Sequence, residues 1–358
     1  MALAVLCRGA SDPTEDRTVR RSVPLIAALV VVTLATAGCA RGHLRIRDDR
    51  VGTWTLRNLP PAEAPYWSDA TSANTTFTPL ADKNGVVMFK NRTDQTLHYH
   101  PTVLAQWALK YLTSYRQTKD PRDLELAEKQ AAKLIEIAEI DADGVMWFAF
   151  DFDFPLHGRK DAKDQMIAPW YSGMTQGQAL STFSRLYEVT GKAEYLDAAR
   201  RVAASFDLEP AGVGEPWTVR VDEDGYYWVS EYPSPGGDTQ ALNGFIFGLF
   251  GLYDYWAVTG DARASELLRA GVLTVKDHYA LYRQPGGLSL YCLAHRVTAE
   301  RYHRVHVQQF AQLSRITGDA ALQTMSDELA SDYAPGASKN ATDMPFTEGH
   351  SATTSRTP

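Results

Sequence analysis

Leu242-Asn243-Gly244-Phe245-Ile246-Phe247-Gly248-Leu249-Phe250-Gly251-Leu252-Tyr253-Asp254-Tyr255-Trp256-Ala257-Val258-Thr259-Gly260 decides the fold. Leu242, Phe245, Leu249, Leu252 and Trp256 recur at intervals of three and four, the period of one helix face. Thr259-Gly260 closes the stretch, and glycine suits a helix end because the closing residue takes a left-handed backbone. A second stripe follows at Leu268, Val272 and Val275. Together they predict a helical hairpin.

The pattern recurs on either side. Leu180, Phe183 and Tyr187 precede Thr190-Gly191, with Tyr195, Ala199, Val202 and Phe206 after it. Val307, Phe310 and Leu313 precede Thr317-Gly318, with Leu322, Met325 and Leu329 beyond. An earlier copy has Leu104, Trp107, Tyr111 and Leu112, a turn at Thr118-Lys119-Asp120-Pro121, then Leu124, Ala127, Ala131, Leu134 and Ala138. Hairpins repeating every 60–70 residues or so imply a mainly α chain, an α/α toroid of about four hairpins in which each buries its neighbour. The first helix of each pair is the more apolar and belongs inside. The long returns, 139–171, 207–232 and 277–302, exceed ordinary loop lengths and are the natural place for function. Each carries a glycine and an aromatic stretch (Gly144 to Phe150, Gly225 to Val229, Gly287 to Tyr291), read as β-rich loops at one end of the ring. Asn84-Gly85 between β-prone runs predicts a short hairpin ahead of the toroid, within Thr76 to Lys90.

The 358 residues carry a net charge of −7, which argues against nucleic acid and requires local positive charge for any polyanionic ligand. Arg17, Arg20 and Arg21, the apolar run Val23 to Ala37, and Thr36-Ala37-Gly38-Cys39 read as an export signal ending in a lipoprotein box. That reading makes 1–38 a signal peptide and Cys39 the lipidated residue. It places the protein outside the cytoplasm on a bacterial cell membrane, with translation starting near Val19. Residues 39–98 form a linker and small β region, 99–333 the catalytic toroid, and 334–358 a tail disordered by composition. Three cysteines, Cys7, Cys39 and Cys292, exclude a disulfide framework and, on count, a Cys-based zinc site.

Before every inner helix stands a tyrosine: Tyr99, Tyr171, Tyr232 and Tyr302, expected to aim into one cavity. The densest polar cluster is Tyr291, His295, Arg301, Tyr302, His303 and His306, joined by Glu231 and Tyr232. Phenols, imidazoles and one carboxylate suit removal of a C–H proton beside a carboxylate. Donors hold the growing enolate charge, and a base stands close to the carbon. Each residue also has a plainer reading. Glu231 is a loop acid or a helix-entry anion, Tyr232 a hydrophobic staple, and His303 with His306 a metal pair or a helix cap. His98 and His100 share that ambiguity, and Asp151 with Asp153 is a weak calcium signal.

Four blocks, in order from about 99 to 333, carry a family resemblance. Glu231-Tyr232-Pro233 with Leu242-Asn243-Gly244-Phe245 and Gly251-Leu252-Tyr253-Asp254 resembles the C-terminal domain of D-glucuronyl C5-epimerases. So do Trp170-Tyr171-Ser172-Gly173-Met174-Thr175-Gln176-Gly177-Gln178-Ala179 and Tyr302-His303-x-x-His306-x-x-Gln309, and His100-Pro101 with Ala105-Gln106 is similar to the family's first-helix entry. The resemblance implies C5-epimerisation of D-glucuronate to L-iduronate residues within a polysaccharide, with no cofactor and no metal. It implies Glu231 and Tyr302 as the opposed acid/base pair and Tyr291 as assistant. Tyr171, Gln178, Tyr232, Asn243, His295, Arg301, His303 and His306 are the expected substrate contacts. The family's Asp-Leu-Arg-His is here Cys292-Leu293-Ala294-His295, and only about fifty residues precede the toroid. These departures favour a bacterial glucuronan at least as much as a highly sulfated polymer. A polysaccharide lyase, a glycoside hydrolase on the same toroid, and a glycan-binding lipoprotein are the competing functions, and a homodimer is left open.

Overall fold

A computed structural model describes residues 41–66, 79–91, 95–210 and 215–333. The expected signal peptide, Cys39 and the tail from 334 lie outside the described residues.

Four helices of 18 residues each form the inner layer: α1 (Pro101–Thr118), α3 (Gly173–Thr190), α5 (Leu242–Thr259) and α8 (Glu300–Thr317). Each is followed by a partner: α2 (Pro121–Ile137), α4 (Ala193–Ala203), α6 (Ala262–Asp277) and α9 (Ala320–Asp332). A single turn, α7 (Tyr279–Tyr282), follows α6. The inner helices pack in series, α1 on α3, α3 on α5 and α5 on α8, which makes the α/α toroid expected from the repeat.

The repeated Thr-Gly mark has a full hydrogen-bond account. Thr118, Thr190, Thr259 and Thr317 each donate a hydroxyl to the carbonyl four residues back, at 2.6–2.9 Å. Each also accepts the N–H two residues ahead, at 3.1–3.2 Å. The intervening residue takes φ of 61° to 73°: Lys119, Gly191, Gly260 and Gly318. Lysine at the first position shows that glycine is preferred at this cap and not obligatory.

The α3–α5 contact is the closest. A Cβ on Gly177 would stand 2.5 Å from the Gly248 Cα, and one on Gly251 would stand 2.4 Å from the Gly177 carbonyl. Backbones meet there with no room for side chains. One turn on, the pair is pinned by Arg185 and Asp254, both about 95% buried and joined by two 2.9 Å hydrogen bonds.

Residues 41–66 do not trail as a free linker. They run across the molecule, with Leu44 N–H on the Asp207 carbonyl, Arg57 N–H on the Ile316 carbonyl and Leu59 N–H on the Tyr253 hydroxyl. The expected hairpin at Asn84-Gly85 is a tight turn closed by an Ala81–Val87 bridge, and Phe89–Lys90 then pairs with Leu97–His98. Thr76 lies outside the described residues.

Two of the three long returns contain the expected strands: Glu139–Ile140 with Met146–Trp147, and Val219–Val221 with Tyr227–Val229. Both turn on one device. Asp141 accepts the Val145 N–H and the Trp147 indole, and Asp222 accepts the Tyr226 N–H and the Trp228 indole. The third return departs from expectation. Among the described residues it forms only isolated bridges, Leu290 to Thr298 and Cys292 to Ala241, because Gln284-Pro285-Gly286-Gly287 breaks the run before a ladder can start.

Candidate active site

A second apolar cluster, separate from the main core, gathers Phe150, Phe152, Leu156, Met166, Trp170, Tyr232, Ala241, Tyr291 and Cys292, with Phe154 and Tyr302 packed against it. It is built from the three long returns and the start of α8. Trp170 stacks on Phe150 with ring centroids 3.7 Å apart, and Phe154 stacks on both Trp170 and Tyr232.

Against this aromatic wall sits Glu231, with no solvent exposure. The Tyr291 hydroxyl donates to its Oε1 at 2.9 Å. Asn243, with its amide turned to satisfy both ends, donates to Oε2 at 3.3 Å while its oxygen accepts the Gly244 N–H at 3.2 Å. The carboxylate therefore lies at the N-terminal end of α5, where the helix dipole favours an anion. Gly244 makes this approach possible, since a Cβ there would come within 2.2 Å of Oε2.

Tyr291 is the hub. Its hydroxyl also lies 3.4 Å from that of Tyr232, and its ring is 4.5 Å from the Tyr302 ring. Burial, followed by the Glu231 charge, pushes the Tyr291 phenol well above its ordinary range, so it is a donor at neutral pH. Tyr302 is half-buried and is the outward-reaching member of the group. Arg301 precedes it, also half-buried, in the first turn of α8.

The structure thus brings Glu231, Tyr232, Asn243, Tyr291 and Tyr302 together, with Arg301 adjoining. It places others elsewhere. Tyr171 points away, donating to Glu139 at 2.7 Å beside Trp147. Tyr99 donates to Asp82. The expectation of four phenols in one cavity therefore fails for two. Trp170 and Tyr171 lie on extended backbone, where neighbours face opposite ways, and Trp170 takes the inner side.

His303 is fully buried and spoken for. Its Nδ1 accepts the Ser289 N–H at 2.9 Å and its Nε2 meets the Leu329 carbonyl at 2.9 Å, tying α8 to α9. His306 shares the Ser289 hydroxyl at 2.8 Å, and burial holds its imidazole down at about 3. The two imidazoles meet at Ser289, and the buried Nε2 of His306 has no hydrogen-bond partner among the described residues. Gln178 is fully buried in α3, and its amide finds no partner among the described residues. His295 sits beside Cys292, its Nδ1 3.5 Å from Sγ and its Nε2 2.9 Å from Asp164 Oδ1.

Residues the sequence reading passed over are Gly244, His157 and Asp164. Only Gly244 left a signal, as a glycine at the third position of an inner helix. His157 and Asp164 come from an irregular loop with no period to read.

Fold and site together define an α/α-toroid protein with a buried acid–phenol cluster at the N-terminal ends of its inner helices. The chain belongs to the D-glucuronyl C5-epimerase family, whose C-terminus profile matches residues 143–331. It is 30% identical over 190 residues to the D-glucuronyl C5-epimerase of Caenorhabditis elegans, covering 47% of this chain and 30% of that protein. It is also 30% identical over 188 residues to an uncharacterized protein of Methanocaldococcus jannaschii, covering 51% of this chain and 58% of that one. The chain therefore spans well under two thirds of these relatives. Among solved structures, a sugar epimerase from a ruminal bacterium is similar at a TM-score of 0.47 and 10% identity, over 65% of this chain and 59% of that one.

Proposed function

We propose that this protein inverts C5 of D-glucuronate residues in a uronic-acid polysaccharide, giving L-iduronate by proton removal from one face and proton return on the other. The observation that carries the reading is the 2.9 Å hydrogen bond from the Tyr291 hydroxyl to Glu231, with the Tyr302 ring 4.5 Å from that of Tyr291 and tilted 49° to it. Glu231 is wholly covered, so the sugar proton reaches it across Tyr291. The Tyr291 oxygen takes the C5 proton as its own proton passes to Glu231. A phenol with so high a pKa is a poor base alone; the carboxylate behind it makes it one. Tyr302 then donates its proton to the opposite face of C5, leaving a phenolate that solvent reprotonates, and the Glu231 proton leaves back through the Tyr291 hydroxyl once the product has gone. Arg301 and the first turn of α8 hold the substrate carboxylate and its enolate charge.

Family membership supports this chemistry. Of the acidic trio Asp222, Glu223 and Asp224 that a hydrolase reading would draw on, Asp222 is engaged by its own turn and the other two are exposed. We propose further that the protein acts outside the cytoplasm, tethered through Cys39. Among the described residues no helix is long and apolar enough to cross a membrane.

The test is incubation with a glucuronate polymer in D₂O, read by NMR. The reading expects deuterium at C5 and iduronate signals, both lowered by about 10²–10⁴-fold in Glu231→Gln and in Tyr302→Phe. An unsaturated uronate chromophore would make it a lyase, new reducing ends a hydrolase, and no exchange with any uronic polymer would end the proposal.

A further inference from the structure

Behind Tyr291 three potential ligand atoms converge: His157 Nε2, Cys292 Sγ and His295 Nδ1, all within 4.8 Å of one another. They come from two different loops. His157 belongs to the return between α2 and α3, and Cys292 with His295 to the return before α8. We infer that they form a binding site for a borderline-soft divalent cation of the zinc type, with one coordination position left open.

Distance is the first argument. A tetrahedral site with Zn–S of about 2.3 Å and Zn–N of about 2.0–2.1 Å has an S···N edge of about 3.5 Å. The two S···N distances here are 3.4 and 3.5 Å. The second argument is tautomer. His295 Nε2 lies 2.9 Å from Asp164 Oδ1, and Asp164 is 2% exposed and held as a carboxylate by Arg159 as well as by His295. A carboxylate only accepts, so His295 Nε2 carries a proton, and in the neutral imidazole the Nδ1 lone pair faces Sγ. Such a carboxylate–histidine pair is the usual outer support of a metal-bound imidazole. A thiol has a single proton to offer, and two imidazole nitrogens address the same sulfur. A cation satisfies all three atoms at once.

Backbone geometry points the same way. His157 holds φ 53°, ψ 25°, a left-handed conformation that non-glycine residues rarely adopt. It turns the imidazole onto Cys292 and edge-on to Tyr291, with ring centroids 5.5 Å apart. One cysteine and two histidines, a mixed soft and imidazole set, select zinc or copper over calcium or magnesium. Counting cysteines in the sequence excluded a Cys-based site because the histidine that completes it lies 135 residues away.

The inference stands apart from the epimerase reading, since metal uptake is measured without substrate. Full-length protein without a polyhistidine tag is stripped with chelator and titrated with Zn²⁺ by calorimetry and with Co²⁺ by absorption. The expected result is one ion per chain, with a thiolate-to-cobalt charge-transfer band and the visible bands of tetrahedral Co²⁺. Cys292→Ser removes the charge-transfer band. Asp164→Asn keeps the band and weakens binding by about 10–100-fold. His43→Ala, an exposed histidine far along the chain from the site, leaves uptake unchanged. Substoichiometric uptake, or uptake by wild type without the charge-transfer band, overturns the inference. The wild-type result decides the matter even if Cys292→Ser does not fold.

Discussion

Gly244→Ala adds one methyl group and should disable the site. An ideal Cβ at 244 falls 2.2 Å from Glu231 Oε2, 2.4 Å from its Cδ and 2.5 Å from its Cβ. Carbon contacts rest at about 3.5–4.0 Å, so the side chain must retreat by roughly 1 Å or more. Rotation about χ cannot clear the clash, because the Glu231 Cβ is struck as well. Glu231 has no free space to enter: it is fully buried, with Tyr291 and Asn243 on its oxygens. Overpacking of this kind costs about 1–3 kcal/mol, and alanine returns about 1 kcal/mol through better helix propensity. The net loss, at most about 2 kcal/mol, lowers Tm by a few degrees at most, at about 2–4 °C per kcal/mol. Activity is more sensitive, since a shift of about 1 Å in a reacting group costs on the order of 100-fold. The assay pairs a thermal melt with C5 deuterium exchange on a glucuronate polymer. Small loss of Tm with large loss of exchange is expected. A variant that melts as wild type and exchanges within twofold of it would show that Glu231 is not held where the structure puts it.

Arg185→Met leaves Asp254 buried without its partner and should cost about 3–5 kcal/mol in urea denaturation; a loss below 1 kcal/mol would mean that water reaches the carboxylate. Thr259→Val keeps the shape of the hairpin turn but removes both its hydrogen bonds, and should lower stability by about 1–2 kcal/mol, with Thr118, Thr190 and Thr317 behaving alike. Stability should also fall as pH drops from 7 to 5. His100 and His306 are fully buried and held down at about 3 by burial, against 6.5 when unfolded. In that window the unfolded chain binds the extra protons, so each residue costs about 2 kcal/mol at pH 5, and the penalty grows until pH approaches 3. A urea midpoint unchanged between pH 7 and 5 would refute this account.

The helical repeat was legible because its determinants are local. A threonine hydroxyl reaches only four residues back and two ahead, and a left-handed cap follows at once, so the hairpin is written in adjacent letters. Glu231, Tyr291 and Tyr302 were legible through motif. Their neighbours were not, because direction depends on contacts far along the chain. Trp170 and Tyr171 differ by one residue on extended backbone, and only the Phe150–Trp170 bridge decides which faces the site. Tyr302 and His303 differ by about 100° around α8, which sends one toward Tyr291 and the other to the Leu329 carbonyl of α9. His157 had no pattern at all; its position is fixed by a left-handed residue in an irregular loop.

Four inner helices of equal length would be equivalent if packing alone shaped them, and their N-terminal ends show that they are not. α1 and α3 are capped by side chains, His100 on the Val103 N–H and Ser172 on the Thr175 N–H. α5 and α8 begin after Ala241 and Ala299, which offer no capping group. A helix start keeps unsatisfied N–H donors and a partial positive charge. At α5 that end is met by the Glu231 carboxylate, a buried anion supplied by the protein. At α8 the same kind of end carries Glu300 in its first turn, beside Arg301 and Tyr302. On the proposed function, the uronate carboxylate would be a second anion at the α8 end, with C5 beside Tyr291 and Tyr302. Ala299→Asp, which would cap α8 with a side chain, should therefore raise KM for a uronate polymer while stabilising the fold by up to about 1 kcal/mol. A variant that is more stable with KM unchanged would place the carboxylate elsewhere.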